Sequence, residues 1–528
     1  KNIKKNKLYE IPNRGKAIHA AIKQLKVNEI LVVSGKGHEN IQDFGNRKIF
    51  FSDKNIILDS ITQKNKFLSK NLKINIFKEY KKLKKIPKTK KLSKASINSK
   101  DIKKNDIFFA LKGKNNDGNK YISEAINKGA SIIISDDTKS KINHKNIIKV
   151  KNSLHTMTKL SSNVRDTFNG KIIGITGSCG KTSLKDLLSN SLNKIGKASS
   201  SPKSYNNKYG VPLSLLNLNL SNNYGIFEIG MDKRGEINFL SKLIKPDIGI
   251  ITNISYAHAK NFTNILQIAK AKSEIINNIK KDGFIVLNAD DKFFSFHKKK
   301  AIKKKLNIIS FGFSHSADVR FLKINKIKNF YKIIVKIFNQ IKTFQIKYKY
   351  LNYIKNILSA LAVLSILDKT KKLKLNFFKD FMIPEGRGDI LKIKLKNKNI
   401  YLIDESYNSN PLSLKSAISN FSDSDIQTKK KHFLMGDMLE LGKHSKKLHR
   451  EMSSIFNNSK ISKIHIFGKY VTETFKGIKK NRKGRVLQTT SEIFDLIVKD
   501  LDNNDYLMVK ASNATGFNQI VRNLKGLS

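Results

Sequence analysis

Runs of apolar, largely β-branched residues alternate with helically spaced apolar residues through two long parts of the chain. In the first part, the apolar runs cover residues 172–176, 224–229, 247–252 and 283–287. In the second part, which begins near Pro384, they cover residues 400–403, 432–435, 463–467 and 506–509. Strands that alternate with helices form parallel sheets joined by crossover helices. The pattern therefore predicts an α/β protein with two such sheets.

The chain before residue 169 carries weaker signals. Apolar runs at residues 107–111 and 131–134 flank a helical stretch at 121–128, which predicts a small mixed domain over 93–168. Residues 1–61 hold one predicted helix and a short strand at 30–33, too few elements for a stable layer of their own. Lysine dominates residues 62–92, as in a linker. We expect five segments: 1–61, 62–92, 93–168, 169–383 and 384–528.

Charge alone would favour a nucleic-acid partner, since 103 Lys and Arg residues outnumber 41 Asp and Glu residues and the net charge is +62. The lysines, however, are spread over every segment, and they accompany abundant Asn and Ile, no Trp and only 7 Pro. This composition is typical of coding DNA that is poor in G and C. We therefore expect no nucleic acid as a partner, although anionic substrates would benefit from the positive field.

The single cysteine, Cys179, excludes a disulfide framework and a cysteine-based zinc site, and it favours a reducing compartment. No apolar run is long enough to span a bilayer, and the first residues lack the apolar core of a signal peptide. We expect a cytoplasmic protein without membrane insertion.

Residues 171–192 predict a strand, a glycine loop and a helix. The loop GSCGKT, residues 177–182, separates the apolar run from leucines at helical spacing. A phosphate-binding loop requires this order, because backbone N–H groups and the helix N-terminus face the phosphate, Lys181 reaches the β- and γ-phosphates, and Thr182 can hold magnesium. Ile175 stands where the longer form of this pattern has glycine. An ordinary glycine turn is the alternative, but Gly-Lys-Thr at a strand-to-helix junction favours a nucleoside triphosphate.

Three residues near the ends of the predicted central strands could serve the same ligand. Glu228 ends the second strand, and its carboxylate could hold magnesium together with Thr182. His258 follows the third strand, where it could be a metal ligand or an ordinary surface residue. Lys272 lies on the apolar stripe of the next predicted helix, residues 265–279, although a buried unpaired ammonium is costly. It could also reach the surface along its aliphatic stem.

Two strand-end loops in the last part of the chain combine acids and amides. They are DESYNSNP at residues 404–411 and GDMLELG at residues 436–442. Either loop could be an ordinary turn with a helix cap. Because ligands of parallel sheets bind at the carboxyl ends of the strands, two such loops at one cleft favour a site.

Taken in order, these and other segments resemble the Mur ligases. The segments are GITGSCGKT, YNNKYGVPLSLL, FEIGMDKRGEI, ITNISYAHAKNF, AKSEI, LNADD, GRGD, DESYNSNP and GDMLELGKHSKKLHRE. Within the family they are most similar to the MurF type, which joins D-alanyl-D-alanine to UDP-N-acetylmuramoyl-tripeptide. The resemblance covers about residues 93–528. Separately, EIPNRGKAIHAAI and LVVSGKGHENIQDFGNRKIFFSD resemble the extreme C-terminus of a MurE-type ligase, so we expect residues 1–61 to be the remainder of such a ligase fused to this one.

The resemblance implies a three-domain ligase. It assigns a UDP-sugar-binding domain to residues 93–168, a central P-loop domain with a parallel sheet to 169–383, and a Rossmann-like C-terminal domain to 384–528. It also implies ATP and Mg²⁺ as cofactors, an acyl-phosphate intermediate, a role in peptidoglycan precursor synthesis, and the tripeptide and dipeptide substrates as partners. We expect a monomer.

The resemblance further implies a set of site residues. For ATP they are Gly177, Ser178, Cys179, Gly180, Lys181, Thr182, Asn356, Arg387, Asp404 and Glu405. For magnesium they are Thr182, Glu228, His258 and Lys272, and Lys272 would bind as a carbamate. The catalytic residues are Lys181, Glu228, His258 and Lys272. For the substrates they are Ser99, Asn206, Asn207, Asn408, Asn410, Asp437 and Glu440.

Several positions depart from the family pattern. Lys100 stands where the family usually has arginine, and Asn352-Tyr353 stands where it has His-Asn. Glu405 replaces an aspartate, and residues 510–513 replace Lys-Gly-Ser-Arg. These departures favour one alternative, a decayed non-catalytic homologue. Two others remain: a folylpolyglutamate-type ligase, which shares the glycine loop and the lysine, and a basic nucleic-acid-binding ATPase. The runs YNNKYGVPLSLL and DESYNSNP favour the MurF type over the folylpolyglutamate type.

Overall fold

The protein is described by a computed structural model over residues 9–25, 29–35, 39, 41–43, 48–64, 92–113, 116–138, 142–395, 398–424 and 430–525. The chain divides into two compact units. Unit 1 comprises Lys1–Phe168 with Asn219–Ser221, and unit 2 comprises Asn169–Leu218 with Asn222–Ser528. Within the described ranges no helix combines the length and the apolar character needed to cross a membrane.

Unit 1 contains a parallel sheet preceded by a smaller group of elements. The preceding elements are α1 (Arg14–Gln24), β1 (Ile41–Asp43), β2 (Lys48–Phe50) and α2 (53–64). The parallel part consists of β3 (Ala95–Ser96), β4 (Ile107–Ala110), α3 (Ile122–Asn127), β5 (Ile132–Ser135), β6 (Ile147–Lys149) and α4 (Ser153–Thr167). The strands lie in the order β3-β4-β5-β6. Phe108 and Ile133 form its core with Ile122 and Ala125 of α3.

The larger sheet of unit 2 has the strand order β15-β14-β13-β12-β11-β10-β7-β9-β8. Its strands are β7 (Lys171–Thr176), β8 (Ala198–Ser200), β9 (Tyr224–Glu228), β10 (Ile248–Ile251), β11 (Phe284–Asn288), β12 (Asn307–Gly312), β13 (Val319–Ile327), β14 (Phe330–Ile337) and β15 (Gln340–Ile346). The helices are α5 (Lys181–Asn193), α6 (Gly210–Leu216), α7 (Glu236–Ile244), α8 (Ile265–Lys272), α9 (Phe294–Lys303) and α10 (Leu351–Ile366). Apolar residues of α5 and α10, such as Leu187 and Ile357, share one buried core with the strands.

The smaller sheet of unit 2 has the order β16-β17-β21-β18-β19-β20. Its strands are β16 (Asp389–Leu395), β17 (Lys398–Glu405), β18 (Lys431–Gly436), β19 (Lys463–Phe467), β20 (Lys483–Leu487) and β21 (Tyr506–Lys510). The helices are α11 (Pro411–Ser422), α12 (Ser445–Asn457), α13 (Thr472–Lys476), α14 (Thr490–Asp495) and α15 (Phe517–Lys525). Buried Leu402, Leu434 and Leu507 place its core on adjacent strands.

Strand direction determines where loops gather. In the larger sheet, β7, β9 and β10 are parallel neighbours, so the residues after each of them meet at one edge. In the smaller sheet the same holds for β17, β21 and β18.

The structure corrects four sequence expectations. The larger sheet ends in antiparallel strands β13–β15, and β16 pairs with β17 as an antiparallel hairpin, so neither sheet is purely parallel. The predicted helix 265–279 stops as an α-helix at Lys272 and continues as a 3₁₀ turn. Residues 30–33 are not in a strand, because an apolar run forms a strand only where it pairs with a neighbouring strand. The side chains of Ile30 and Val32 are exposed. Most of the predicted linker 62–92 lies outside the described residues, although 62–64 belong to α2.

Candidate active site

The glycine loop has the strand–loop–helix geometry that its sequence predicts. β7 ends at Thr176 and α5 begins at Lys181. Gly180 has φ +80°, and Gly177 has φ +145° with so little space that a Cβ would lie 1.9 Å from Thr252 Oγ1. Only glycine fits Gly177 without displacement of the neighbouring strand end. Ile175 is buried in β7, and it is therefore part of the core instead of the loop.

Hydrogen bonds fix the loop to the segment after β10. The backbone N–H of Cys179 donates to Asn253 Oδ1 at 2.9 Å, and Ser178 Oγ donates to the Ser255 carbonyl at 2.9 Å. Lys181 Nζ donates to the Gly177 carbonyl at 2.8 Å. Burial raises the pKa of the Cys179 thiol, which donates to Asn410 Oδ1 at 3.1 Å. These contacts hold the glycine loop in one conformation against the segment after β10.

Thr182 and Glu228 meet at the start of α5. Thr182 Oγ1 donates to Glu228 Oε2 at 2.7 Å, and Asn206 Nδ2 donates to the other carboxylate oxygen, Oε1, at 2.7 Å. Glu228 is only 2% exposed. A hydroxyl and a carboxylate beside a phosphate-type loop are the oxygen donors that Mg²⁺ prefers. These residues therefore fit a magnesium ion.

His258 lies in a different group of possible metal ligands. It has a left-handed backbone with φ +54°, and its Nδ1 lies 2.5 Å from Glu440 Oε2 and 3.3 Å from Asp232 Oδ1. The contact with His258 lowers the pKa of the Glu440 carboxyl. The three side chains lie close enough to hold one cation together. His258 and Glu440 line the same cavity as Glu228.

Lys272 is buried at the end of α8, with 1% of its surface exposed. The alternative that its ammonium reaches the surface is therefore wrong. Burial, and next the nearby Lys181 ammonium, lower its pKa well below the ordinary value. In the described part of the chain no salt bridge offsets the burial of this ammonium, which shifts the protonation equilibrium towards the neutral amine.

Aromatic side chains form part of the cavity wall. Tyr353 stacks on Phe381 with ring centroids 5.9 Å apart, and Tyr350 stacks on Tyr348 at 5.7 Å. Burial raises the pKa of Tyr350 to about 12. The Tyr353 hydroxyl is buried and has no hydrogen-bond partner in the described part of the chain. Such a wall suits the flat face and the polar edge of a nucleobase.

The loops after β17, β18 and β21 face these residues. Lys510, 1% exposed, forms an ion pair with Glu405 at 3.0 Å and donates to the Asn408 carbonyl at 3.0 Å. Asn410 caps α11 through a hydrogen bond from the Ser413 N–H. Arg387 lies over the Tyr407 ring, with the guanidinium carbon 4.2 Å from its centroid.

These side chains surround a cavity of about 510 Å³. The predicted site residues that line it are Ser178, Cys179, Gly180, Lys181, Thr182, Asn206, Glu228, His258, Asn356, Arg387, Glu405, Asn408, Asn410 and Glu440. Six predicted residues are not among those that line the cavity: Gly177, Lys272, Asp404, Asp437, Asn207 and Ser99. Asp404 and Asp437 are buried, Asn207 is exposed, and Ser99 belongs to unit 1, where its hydroxyl donates to Glu124 at 2.6 Å.

Asp437 has a structural explanation. Its carboxylate accepts hydrogen bonds from the backbone N–H groups of Lys469, Tyr470 and Val471, so both oxygens hold the loop between β19 and α13. Its role in substrate binding stays a prediction.

Comparison with known proteins supplies the family. Residues 91–165, 175–364 and 386–513 match, respectively, the catalytic domain of the Mur ligase family, the Mur ligase middle domain, and the Mur ligase glutamate ligase domain. Over 433 residues the chain is 31% identical to the UDP-N-acetylmuramoyl-tripeptide–D-alanyl-D-alanine ligase of Rickettsia prowazekii. The aligned region covers 81% of this chain and 94% of that relative. The chain belongs to the Mur ligase family.

Solved structures agree with this assignment to the Mur ligases. MurF of Thermotoga maritima in complex with ADP has a TM-score of 0.70 at 25% identity, covering 82% of this chain and 97% of that one. MurF of Acinetobacter baumannii shares the fold, with a TM-score of 0.72 at 23% identity, covering 82% and 93%. The predicted family and the predicted three-domain α/β fold are confirmed.

The sequence of this Mur ligase did not single out every residue at the cavity. Ser204 contacts Thr182, and Tyr407 contacts Ser204, yet neither was assigned a role. Asn253 and Lys510 hold neighbouring loops in place. Tyr407 could have been found inside DESYNSNP, whereas a lone serine in a loop carries no signal of its own.

Proposed function

We propose that this chain is an ATP-dependent ligase of the MurF type, which joins D-alanyl-D-alanine to UDP-N-acetylmuramoyl-tripeptide in peptidoglycan precursor synthesis. The observation that carries the proposal is the combination of two findings. The chain is 31% identical to a ligase of that name, over 94% of that ligase's length. The cavity also brings the phosphate-type loop, the Thr182–Glu228 pair and loops of the smaller sheet together.

We assign the nucleotide to the side of the cavity formed by the glycine loop and the aromatic wall. The triphosphate would lie at the N-terminus of α5 and on Lys181, and the base beside Tyr350 and Tyr353. Asn356, which lies against Gly180, and Arg387 would complete the nucleotide contacts. The dipeptide would bind on the opposite side, at Asn408, Asn410 and Glu440.

The reaction has two covalent steps. The tripeptide carboxylate attacks the γ-phosphorus of ATP, which gives an acyl phosphate and ADP. The amine of D-alanyl-D-alanine then attacks the acyl carbon, phosphate leaves, and the amine gives up a proton as the amide forms. Lys181 would stabilise the charge that develops on the transferring phosphoryl group. Magnesium, when bound, would supply further neutralisation of the triphosphate charge.

Thr182 and Glu228 are the residues proposed to hold one magnesium ion, and His258 is proposed to take part in metal binding. Lys272 would contribute as a carbamate. Its neutral amine can attack carbon dioxide, forming a nitrogen–carbon bond and releasing one proton. The buried side chain would then carry an anionic group in place of an ammonium, and a cation can neutralise that group.

Phosphate release from ATP tests the proposal. We expect release with UDP-N-acetylmuramoyl-tripeptide to increase strongly when D-alanyl-D-alanine is added, together with formation of the pentapeptide product. Lys181→Ala is the enzyme control and should remove ligation without unfolding the protein. Phosphate release that depends on polynucleotide, or on folate and glutamate, would contradict the proposal.

A further inference from the structure

A chain of hydroxyl groups lines one wall of the cavity. Tyr407 Oη lies 2.5 Å from Ser204 Oγ, which lies 3.2 Å from Thr182 Oγ1. Thr182 in turn donates to Glu228 at 2.7 Å. Tyr407 follows β17 of the smaller sheet, whereas Ser204 lies between β8 and α6 of the larger sheet. The hydroxyl chain therefore connects the parts of unit 2 that carry the two sheets.

The direction of these hydrogen bonds follows from counting hydrogens. A hydroxyl has one hydrogen to donate, and Thr182 donates its own to the Glu228 carboxylate. Ser204 must then donate to Thr182, since Thr182 has no second hydrogen. By the same count Tyr407 must donate to Ser204. All three O–H bonds point towards Glu228.

This direction leaves a defined lone pair on Thr182. Its oxygen accepts one hydrogen bond from Ser204, so a second lone pair is available to a cation. Glu228 is restrained as well, because Asn206 donates to its other oxygen. The Thr182–Glu228 pair is thus oriented before any ligand arrives, which reduces the cost of binding.

Neighbouring residues restrain two members of the hydroxyl chain, Tyr407 and Ser204. The Tyr407 ring lies beneath the Arg387 guanidinium, and a Cβ on Gly386 would lie 3.1 Å from Tyr407 Cβ. On the other side, buried Lys185 donates to the Lys203 carbonyl, which anchors the residue next to Ser204. Because the Arg387 guanidinium packs on the face of the ring and not on its hydroxyl, removal of the hydroxyl alone should leave this packing intact.

We propose that Ser204 and Tyr407 are positioning residues that orient the Thr182 hydroxyl for magnesium, and that they link magnesium-dependent nucleotide binding to the contact between the two sheets. The inference rests on the proposed function, since it assumes that Thr182 and Glu228 hold magnesium beside a nucleotide. Neither residue touches the reacting atoms; each acts through Thr182.

The test measures ADP binding by titration calorimetry in excess magnesium and in EDTA. The dissociation constant in EDTA divided by the dissociation constant in magnesium gives the factor by which the metal strengthens ADP binding. Tyr407→Phe and Ser204→Ala should each lower this ratio about fivefold, the size expected from one ordinary hydrogen bond, and leave the affinity in EDTA within about twofold. The double variant should lose no more than Ser204→Ala alone, because Tyr407 acts through Ser204.

Tyr401→Phe is the matched control, since it removes a hydroxyl from a ring that stacks on Tyr506 of the same sheet. It should leave the ratio unchanged. An unchanged ratio in both Ser204→Ala and Tyr407→Phe would overturn the inference, and so would equal weakening with and without magnesium. Absence of magnesium-dependent ADP binding in the unaltered protein would instead overturn the proposed function, and the inference with it.

Discussion

Single residues at the cavity combine strong burial with unusual chemistry. Lys272 is a lysine without a counter-charge in the described residues, and the Tyr353 hydroxyl is buried without a partner there. Both are costly in the ligand-free protein, and both lie at or beside the proposed nucleotide and metal site. Costs of this kind are retained where function requires them.

Lys272→Ala should abolish ligation, because it removes the amine that we propose to carry the carbamate. Short carboxylic acids should partly restore activity by placing an anion in the space left by the side chain. Lys272→Arg should stay inactive, since a guanidinium does not form this carbamate. The measurement is ligation with and without added acid. Normal activity of Lys272→Ala in buffer free of carbon dioxide would contradict the carbamate.

Tyr353→Phe should leave the ligand-free protein as stable as before, or more stable by about 1 kcal/mol, because a buried hydroxyl without a partner costs free energy. The ring stacking on Phe381 stays in place. Urea unfolding in the absence of nucleotide measures the change. A loss of more than about 1 kcal/mol would mean that the hydroxyl has a stabilising partner after all.

At the scale of elements, adjacent strands β18 and β19 carry a buried pair of histidines. His432 Nδ1 lies 3.1 Å from His465 Nε2, and His465 Nδ1 accepts the backbone N–H of Arg485 at 3.0 Å. Burial, with the neighbouring His432, lowers the pKa of His465 to about 3, and burial also lowers the pKa of His432 against the attraction of Asp505. A proton on His465 Nδ1 would face the Arg485 N–H, which opposes protonation.

This pair should make the protein sensitive to acid. In the unfolded chain these histidines bind protons below their ordinary pKa of 6.5, while the folded chain resists protonation until near pH 3 at His465. Stability is therefore present above pH 6.5 and falls as the pH decreases, by up to about 1.4 kcal/mol per pH unit for each histidine. Urea unfolding at a series of pH values measures the slope. His465→Gln should reduce it, and exposed His315→Gln should not.

At the scale of the whole molecule, the ligase relatives correspond to only part of the chain. The first of the three family matches begins at residue 91, and the other two lie after it. Among the residues before the linker, α1 and α2 are joined by the Arg14–Asp53 ion pair at 2.6 Å. The side chains of Ile30 and Val32 in the same segment are exposed. We still interpret residues 1–61 as the end of a MurE-type ligase, a proposal that rests on resemblance alone.

Deletion of residues 1–61 should leave dipeptide ligation nearly unchanged, because no residue of the proposed cavity lies there. The full chain should not attach the third amino acid of the peptide, since the segment carries no phosphate loop. Ligation assays of both chains with the dipeptide and with the third amino acid measure this. A large loss of dipeptide ligation on deletion would show that the segment has a function in this enzyme.

The sequence by itself determined the elements whose signals are local. Four strands of each sheet, the glycine loop and the helix after it follow from apolar periodicity and from Gly-Lys-Thr at a strand end, because backbone sterics and side-chain alternation act over a few residues. The family motifs likewise identified many of the residues around the cavity, among them Lys181, Thr182 and Glu228. Even the unusual position of Lys272 was visible as a lysine on an apolar stripe.

Only the tertiary structure decided which of these residues meet. The hydroxyl chain from Tyr407 to Glu228 joins positions 179 residues apart, and periodicity contains no information about such pairs. The antiparallel strands β13–β15 were also missed, because strand direction depends on the partner as well as on the strand itself. Burial of Lys272, the pairing of His258 with Glu440, and the use of Asp437 as a loop anchor all required long-range packing that a local pattern does not specify.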